Sequence, residues 1–188
     1  MIDTVNFWID SLSIPKGQLF GVVSYLSEVT ERQNINGYSC SGKAGYYYIN
    51  VAKNGISLKG SLSKYYLGNN IDTLTRHSVK SAIEQLSDHL HIDISLAKVT
   101  RLDISSVILT KYSPVVYYRY LGQKSWFYRF QFKEDTLYYN NHKRQIIFYD
   151  KAKEAKSDGV LIPEIYTNAN LFRYELRYIK RLEVSNLV

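Results

Sequence analysis

Residues 99–109 read VTRLDISSVIL, a stretch without glycine or proline whose first half alternates polar and apolar side chains. Period-two alternation marks a β-strand, because successive side chains point to opposite faces of a sheet. Arg101, Asp103 and Ser105 therefore share one face, and Leu102 and Ile104 take the other. Two more segments repeat the arrangement. In LFRYELRYI (171–179), Arg173, Glu175 and Arg177 stand opposite Phe172, Tyr174 and Leu176. In RQIIFYDK (144–151), Tyr149 and Lys151 share a face with Ile147, whereas Asp150 goes with Ile146 and Phe148. A strand that only roofs a core needs no polar stripe, and here three strands carry one.

Outward from these strands the chain alternates extended and helical patterns. Ile2–Ile9 has strand character, and Leu19, Val22, Val23, Leu26 and Val29 recur at helical spacing. Segments 46–53 and 56–62 face each other across Asn54-Gly55, a hairpin pair. An amphipathic helix starts near Thr75 with Val79, Ala82, Ile83, Leu86 and Leu90 on one face. SPVVYYRYLG (113–122) predicts a short helix, with Ser113 at its start, Pro114 at the first helical position and Gly122 just past its end. Strands are expected around Trp126–Phe132 and Leu137–Tyr139, followed by a turn at Asn140-Asn141-His142. This predicts an α+β domain spanning residues 1–188, with a mainly antiparallel sheet and helices packed on one face.

Composition narrows the class. The chain is 45% hydrophobic, 22% charged and has three prolines, which suits a folded domain. Its apolar runs fall short of a membrane span, and the acidic residues of MIDTVNFWID are unlike a signal peptide, so a cytoplasmic protein without a membrane partner is expected. Cys40 is the single cysteine, which excludes an internal disulfide and a cysteine-built metal site. The 24 Lys and Arg against 17 Asp and Glu give a net charge of +7, which favours a polyanionic partner. The 18 tyrosines offer faces on which unpaired bases can stack, although strands also favour tyrosine for packing.

With the three strands as neighbours, one surface holds two carboxylates, a tyrosine, a lysine and several arginines. Asp103 and Glu175 then suit a hard cation, Mg²⁺ or Mn²⁺, that polarises a phosphate oxygen. Tyr149 suits a nucleophile helped by a cation such as Lys151, since a free phenol has a pKa of about 10. The arginines suit phosphate positioning. The pattern equally describes a solvent-facing sheet whose charges pair across strands, and spacing alone does not single out Tyr149.

The order VTRLDISS, QIIFYDKAKE, LFRYELRYIKRL, together with GSLSKYYLGNN (60–70), resembles the rolling-circle replication initiators of the filamentous-phage gene II protein family and their phage and plasmid relatives. The likeness covers roughly residues 50 to 182. It implies an HUH-endonuclease-like fold and an enzyme that nicks one strand at a replication origin, forms a 5′-phosphotyrosyl link and leaves a 3′-hydroxyl for synthesis. Carried over by position, Tyr149 matches the nucleophile, Asp103 and Glu175 the acidic metal-binding positions, and Lys151 the basic position beyond the tyrosine. Arg101, Arg173, Arg177, Lys143 and Arg144 are the expected DNA contacts. The partner is origin DNA, single-stranded or locally melted, in a bacterial host whose replication proteins are further candidate partners. Relatives continue past the last strand, so a chain truncated after RLEVSNLV is expected.

His89-Leu90-His91 spells the two-histidine motif of the HUH superfamily, but Leu90 continues the apolar stripe of the preceding helix. A helix end suits both histidines through its dipole. They rank below the carboxylates as ligands, as does His142 in the turn before the tyrosine strand, and His77 reads as surface. Lys153, Lys156, Lys180 and Arg181 flank the proposed site. Two other readings stay open: a non-catalytic single-stranded nucleic-acid-binding module, and a metal nuclease whose nucleophile is water.

Overall fold

The computed structural model describes residues 2–35, 37–72, 74–160, 162–179, 182–183 and 187. Its strands are β1 (Ile2–Asp10), β2 (Ser27–Asn34), β3 (Gly37–Ala44), β4 (Tyr47–Ala52), β5 (Gly55–Gly60), β6 (Lys98–Thr110), β7 (Tyr128–Phe132), β8 (Thr136–Asn140), β9 (Arg144–Asp150), β10 (Asn170–Tyr178) and β11 (Leu182–Glu183). The helices are α1 (Leu62–Leu67), α2 (Arg76–Leu90), α3 (Pro114–Tyr118) and α4 (Lys151–Ser157). One sheet runs β2-β3-β4-β5-β1-β6-β10-β9-β8-β7, and β11 pairs with β6. Every strand pairing among the described residues is antiparallel. The α+β class and the antiparallel sheet are as the sequence predicts.

The stretch that opened the sequence reading becomes β6, paired on one side with β1 and on the other with β10. α2 begins where expected: the Thr75 side chain accepts from the Ser78 amide, and Val79, Ala82, Ile83, Leu86 and Leu90 are buried. They pack with Val5, Phe7, Ile49, Ile56 and Leu58 in the larger core. A second cluster gathers Tyr118, Leu137, Tyr139, Ile146 and Phe172 around α3.

Four local expectations are corrected. The helix expected over residues 19–29 is a 3₁₀ turn at Phe20–Tyr25, after which Ser27–Asn34 extends as β2. β-Branched Val29 and Thr30 favour extension, and β3 supplies the backbone partners. The hairpin loop is Lys53-Asn54 rather than Asn54-Gly55, because Gly55 already pairs with Ala52. Gly55 has φ +148°, and a Cβ there would lie 2.2 Å from the Ile9 carbonyl oxygen, so β1 approaches closely only because the residue is glycine. Lys151 does not continue the tyrosine strand. It opens α4, whose start is capped by Asp150 accepting from the Lys153 amide at 3.0 Å. Finally, helices are not confined to one face: α3 packs on Phe172, while Lys151 and Glu154 of α4 flank the side that carries the next residue, Arg173. A sheet face rich in ions needs polar partners above it, and α4 supplies some of them.

Candidate active site

β6, β10, β9 and β8 lie side by side, and their register aligns the polar stripes. Ser105 pairs with Glu175, Glu175 with Ile147, and Ile147 with Tyr138. One step along, Asp103 pairs with Arg177 and Arg177 with Gln145; one step the other way, Arg173 pairs with Tyr149. Directly paired residues share a face, so the two carboxylates, the three arginines of β6 and β10, and Tyr149 occupy one surface. All but Arg173 form the floor of a cleft of about 610 Å³ whose walls include Asp3, Ser61, Lys64, Asn70, Lys133 and Glu154.

The contacts are dense. Tyr149 Oη donates to Glu175 Oε2 at 3.3 Å. Arg177 Nη2 donates to Glu175 Oε1 at 2.8 Å, and its Nε lies 3.2 Å from both oxygens of Asp103. Arg101 clasps the same carboxylate, with Nε 2.9 Å from Oδ1. Arg101 and Arg177 remain partly exposed, at 33% and 25% of their side chains, and face the cleft.

Arg173 and Lys151 behave differently, since both are 0% exposed. Arg173 donates to Asp3 and to the Asn70 carbonyl, and its guanidinium lies 6.0 Å from the centre of the Tyr149 ring. Lys151 Nζ donates to Asn70 Oδ1 at 2.8 Å and to Glu154. Asp3 in turn accepts from Ser61 Oγ at 2.7 Å. The buried cations thus tie the N-terminal strand and the α1–α2 loop to the strand ends beneath the tyrosine.

Electrostatics separate the groups. Burial pushes the Tyr149 phenol well above its ordinary value; Arg173 opposes the shift, and Glu175 adds to it. Tyr149 therefore rests as a neutral phenol and needs a proton acceptor. Burial first, then the charge of Asp103, push Glu175 up to about 7, against the pull of Arg177 and Arg173. Lys151 is pulled below the ordinary lysine value by burial.

Two adjacent carboxylates, one raised by the charge of the other, form a hard-oxygen pair suited to a divalent cation. Among the described residues no group of three His, Cys, Asp or Glu is arranged to hold a metal. Magnesium commonly uses one or two carboxylates and takes its other ligands from water and substrate phosphate, so the pair fits that mode. Arg101 and Arg177 would have to release oxygens of Asp103.

The histidines lie elsewhere. His89 is in the last turn of α2, with Nδ1 3.0 Å from the Tyr65 hydroxyl, and His91 caps that helix with its ring against Tyr25. His142 is exposed in the β8–β9 turn, and His77 is exposed in the first turn of α2. None lines the cleft. Lys143 and Arg144 border a depression with Trp126 near that same turn, and Arg144 lies over the Tyr178 ring, so they are not brought to Tyr149. Lys153 pairs with Asp135 at 2.8 Å at the cleft rim, and Lys156 is exposed on α4. Lys180 and Arg181 lie outside the described residues.

Sequence reading missed Asp3, Asn70 and Glu154. Asp3 had a visible trace, since it interrupts the apolar stripe of Val5, Phe7 and Ile9. Asn70 lies within GSLSKYYLGNN, but nothing local says that its loop docks onto β10.

A protein-family model, Phage CRI, which describes the N-terminal part of the gene II replication-associated protein, matches residues 1–187. No curated protein matches the chain.

Proposed function

The chain belongs to this family of phage replication-associated proteins, replication initiators of the gene II type, and on that premise we propose that it nicks one strand of origin DNA through Tyr149. The observation that carries the reading is the Tyr149–Glu175 hydrogen bond of 3.3 Å in a cleft lined by Arg101 and Arg177. Tyr149 Oη attacks the scissile phosphorus while its proton passes to Glu175 Oε2, which already accepts from it. The phosphorus–O3′ bond breaks, and the departing oxygen takes a proton from solvent water to become the 3′-hydroxyl. The 5′-phosphate remains esterified to the tyrosine, so the bond energy is kept for rejoining.

Arg101 and Arg177, partly exposed, neutralise the non-bridging oxygens as charge develops. Arg173 and Lys151 are buried, so their role is to position: Arg173 underlies the Tyr149 ring, and Lys151 fixes Asn70, whose carbonyl holds Arg173. Asp103 and Glu175 would hold Mg²⁺ or Mn²⁺, which polarises the phosphate when bound. The likeness to HUH endonucleases rests in this reading on tyrosine chemistry and not on the histidine pair. Among the described residues no helix is long and apolar enough to cross a membrane. In this reading the protein works on origin DNA inside the host cell, alongside host replication proteins.

The test mixes the protein with a labelled pool of random single-stranded DNA and Mn²⁺, then looks for label on the denatured protein. A metal-dependent adduct mapping to Tyr149 is expected, and Tyr149→Phe should lose it with its melting temperature almost unchanged. An adduct that persists in Tyr149→Phe makes another residue the nucleophile. Cleavage without any adduct points to a water nuclease, and binding without cleavage to a binding module.

A further inference from the structure

Beyond the cleft the same sheet face carries a row of aromatic rings. Tyr138 of β8 pairs with Phe130 of β7, and their rings stack at 4.8 Å between centroids, 7° from parallel. Tyr128 stacks on Phe130 at 5.9 Å. Phe130 belongs to the register row that runs through Tyr138 and Ile147 to Glu175, and Phe132 pairs with Thr136, which pairs with Tyr149. Tyr128, Phe130 and Phe132 alternate along β7, so all three face the cleft side. Tyr128 is 72% exposed, Phe132 54%, and Trp126, just before the strand, 92%.

β7 ends the sheet, and an exposed aromatic edge is a pairing hazard that proteins usually blunt. Here it is continuous with the cleft, since Lys133, Thr136 and Tyr138 line both. Its flank is basic: Lys133 Nζ lies 5.5 Å from the Phe132 ring centre, and Lys124 and Lys143 border the depression beside Trp126. Phe130 is covered by Tyr138 and Tyr128, which leaves the outer face of Tyr128 and the ring of Phe132, four residues or about 13 Å apart along the strand, open to solvent. A duplex hides its base faces in its own stack, but an unstacked single strand can lay a base on each open ring.

We propose that the β7–β8 hairpin is a base-stacking platform for the single-stranded DNA beside the scissile phosphate. Tyr128 and Phe132 each receive a base, Phe130 backs Tyr128 from beneath, and Lys133 meets the phosphate between platform and cleft. The proposal rests on the nicking reading for its place in the reaction but is tested by binding alone. Labelled dT12 and a 12-base-pair duplex are titrated against Tyr149→Phe protein carrying Tyr128→Ala, Phe132→Ala or both.

Each substitution should weaken dT12 binding by about tenfold, with duplex binding and melting temperature unchanged, because each removes the ring under one stacked base. Phe132→Trp should retain the affinity. Undiminished dT12 binding in the double variant overturns the proposal. So does a change of sedimenting mass without a change in DNA affinity, which would make the edge a contact between two copies of this chain. Adduct formation by the parent protein is scored separately, so absence of nicking and absence of stacking are told apart.

Discussion

Glu175 is where the chemistry and its cost meet. In the metal-free protein its carboxyl is raised to about 7, so it is protonated in acid and ionises only as pH rises through that value. Glu175→Gln should slow adduct formation sharply, because the amide cannot take the Tyr149 proton. A folded-state value above the unfolded one, about 4.3, means that the group's contribution to stability falls as pH rises through that window. Glu175→Gln should thus melt higher than the parent at pH 8, with the gain shrinking toward pH 4; no such convergence would deny the shift. Arginine roles separate by salt. Arg101→Ala should reduce the slope of log affinity for single-stranded DNA against log salt by about 0.7, the loss of one phosphate contact, whereas Lys151→Met should leave the slope unchanged.

At the scale of elements, the decisive junction is the passage from β9 into α4. Asp150 ends the strand and caps the helix, which turns Lys151 inward to Asn70 and Glu154. Asp150→Ala removes that cap. A loss of about 1 kcal/mol is expected, a fall of roughly 2–4 °C in melting temperature for a chain of this size, measured by circular dichroism. An equal fall should not follow Asp158→Ala at the other end of α4, where the backbone amide makes the closing bond.

At the scale of the whole molecule, the site is assembled from both ends of the chain. Arg173 on β10 holds Asp3 on β1 although 170 residues separate them. Between them lies β6, and Asn70 bridges the same arginine to the α1–α2 loop. Removing one partner of a buried ion pair strands the other charge, at a cost of roughly 3–5 kcal/mol. Asp3→Ala should therefore lower the denaturation midpoint strongly and Asp3→Asn less, because the amide still offers Arg173 an oxygen. Equal and small effects in urea melts would mean that Asp3 contributes little to the join.

Local chemistry was enough for the sequence by itself to determine the strands at 99–109 and 171–179, their polar faces and the helix after Thr75, because period and capping are properties of neighbouring residues; the tyrosine strand was carried one residue too far, to Lys151. The family resemblance, rather than spacing, grouped Asp103, Glu175 and Tyr149 as one candidate set. Only tertiary structure decided that the Leu19–Val29 pattern yields a 3₁₀ turn and a strand, since β3 supplies the pairing that overrides helical spacing. Lys151 is a near case: the run KAKEAKS favours a helix, but its burial depends on Asn70, 81 residues earlier. The division between arginines that reach the cleft and the one sealed beneath it follows from how strands and loops pack. Alternation places all three on one face, and the packing that brings Asp3 and Asn70 onto Arg173 separates it from the other two.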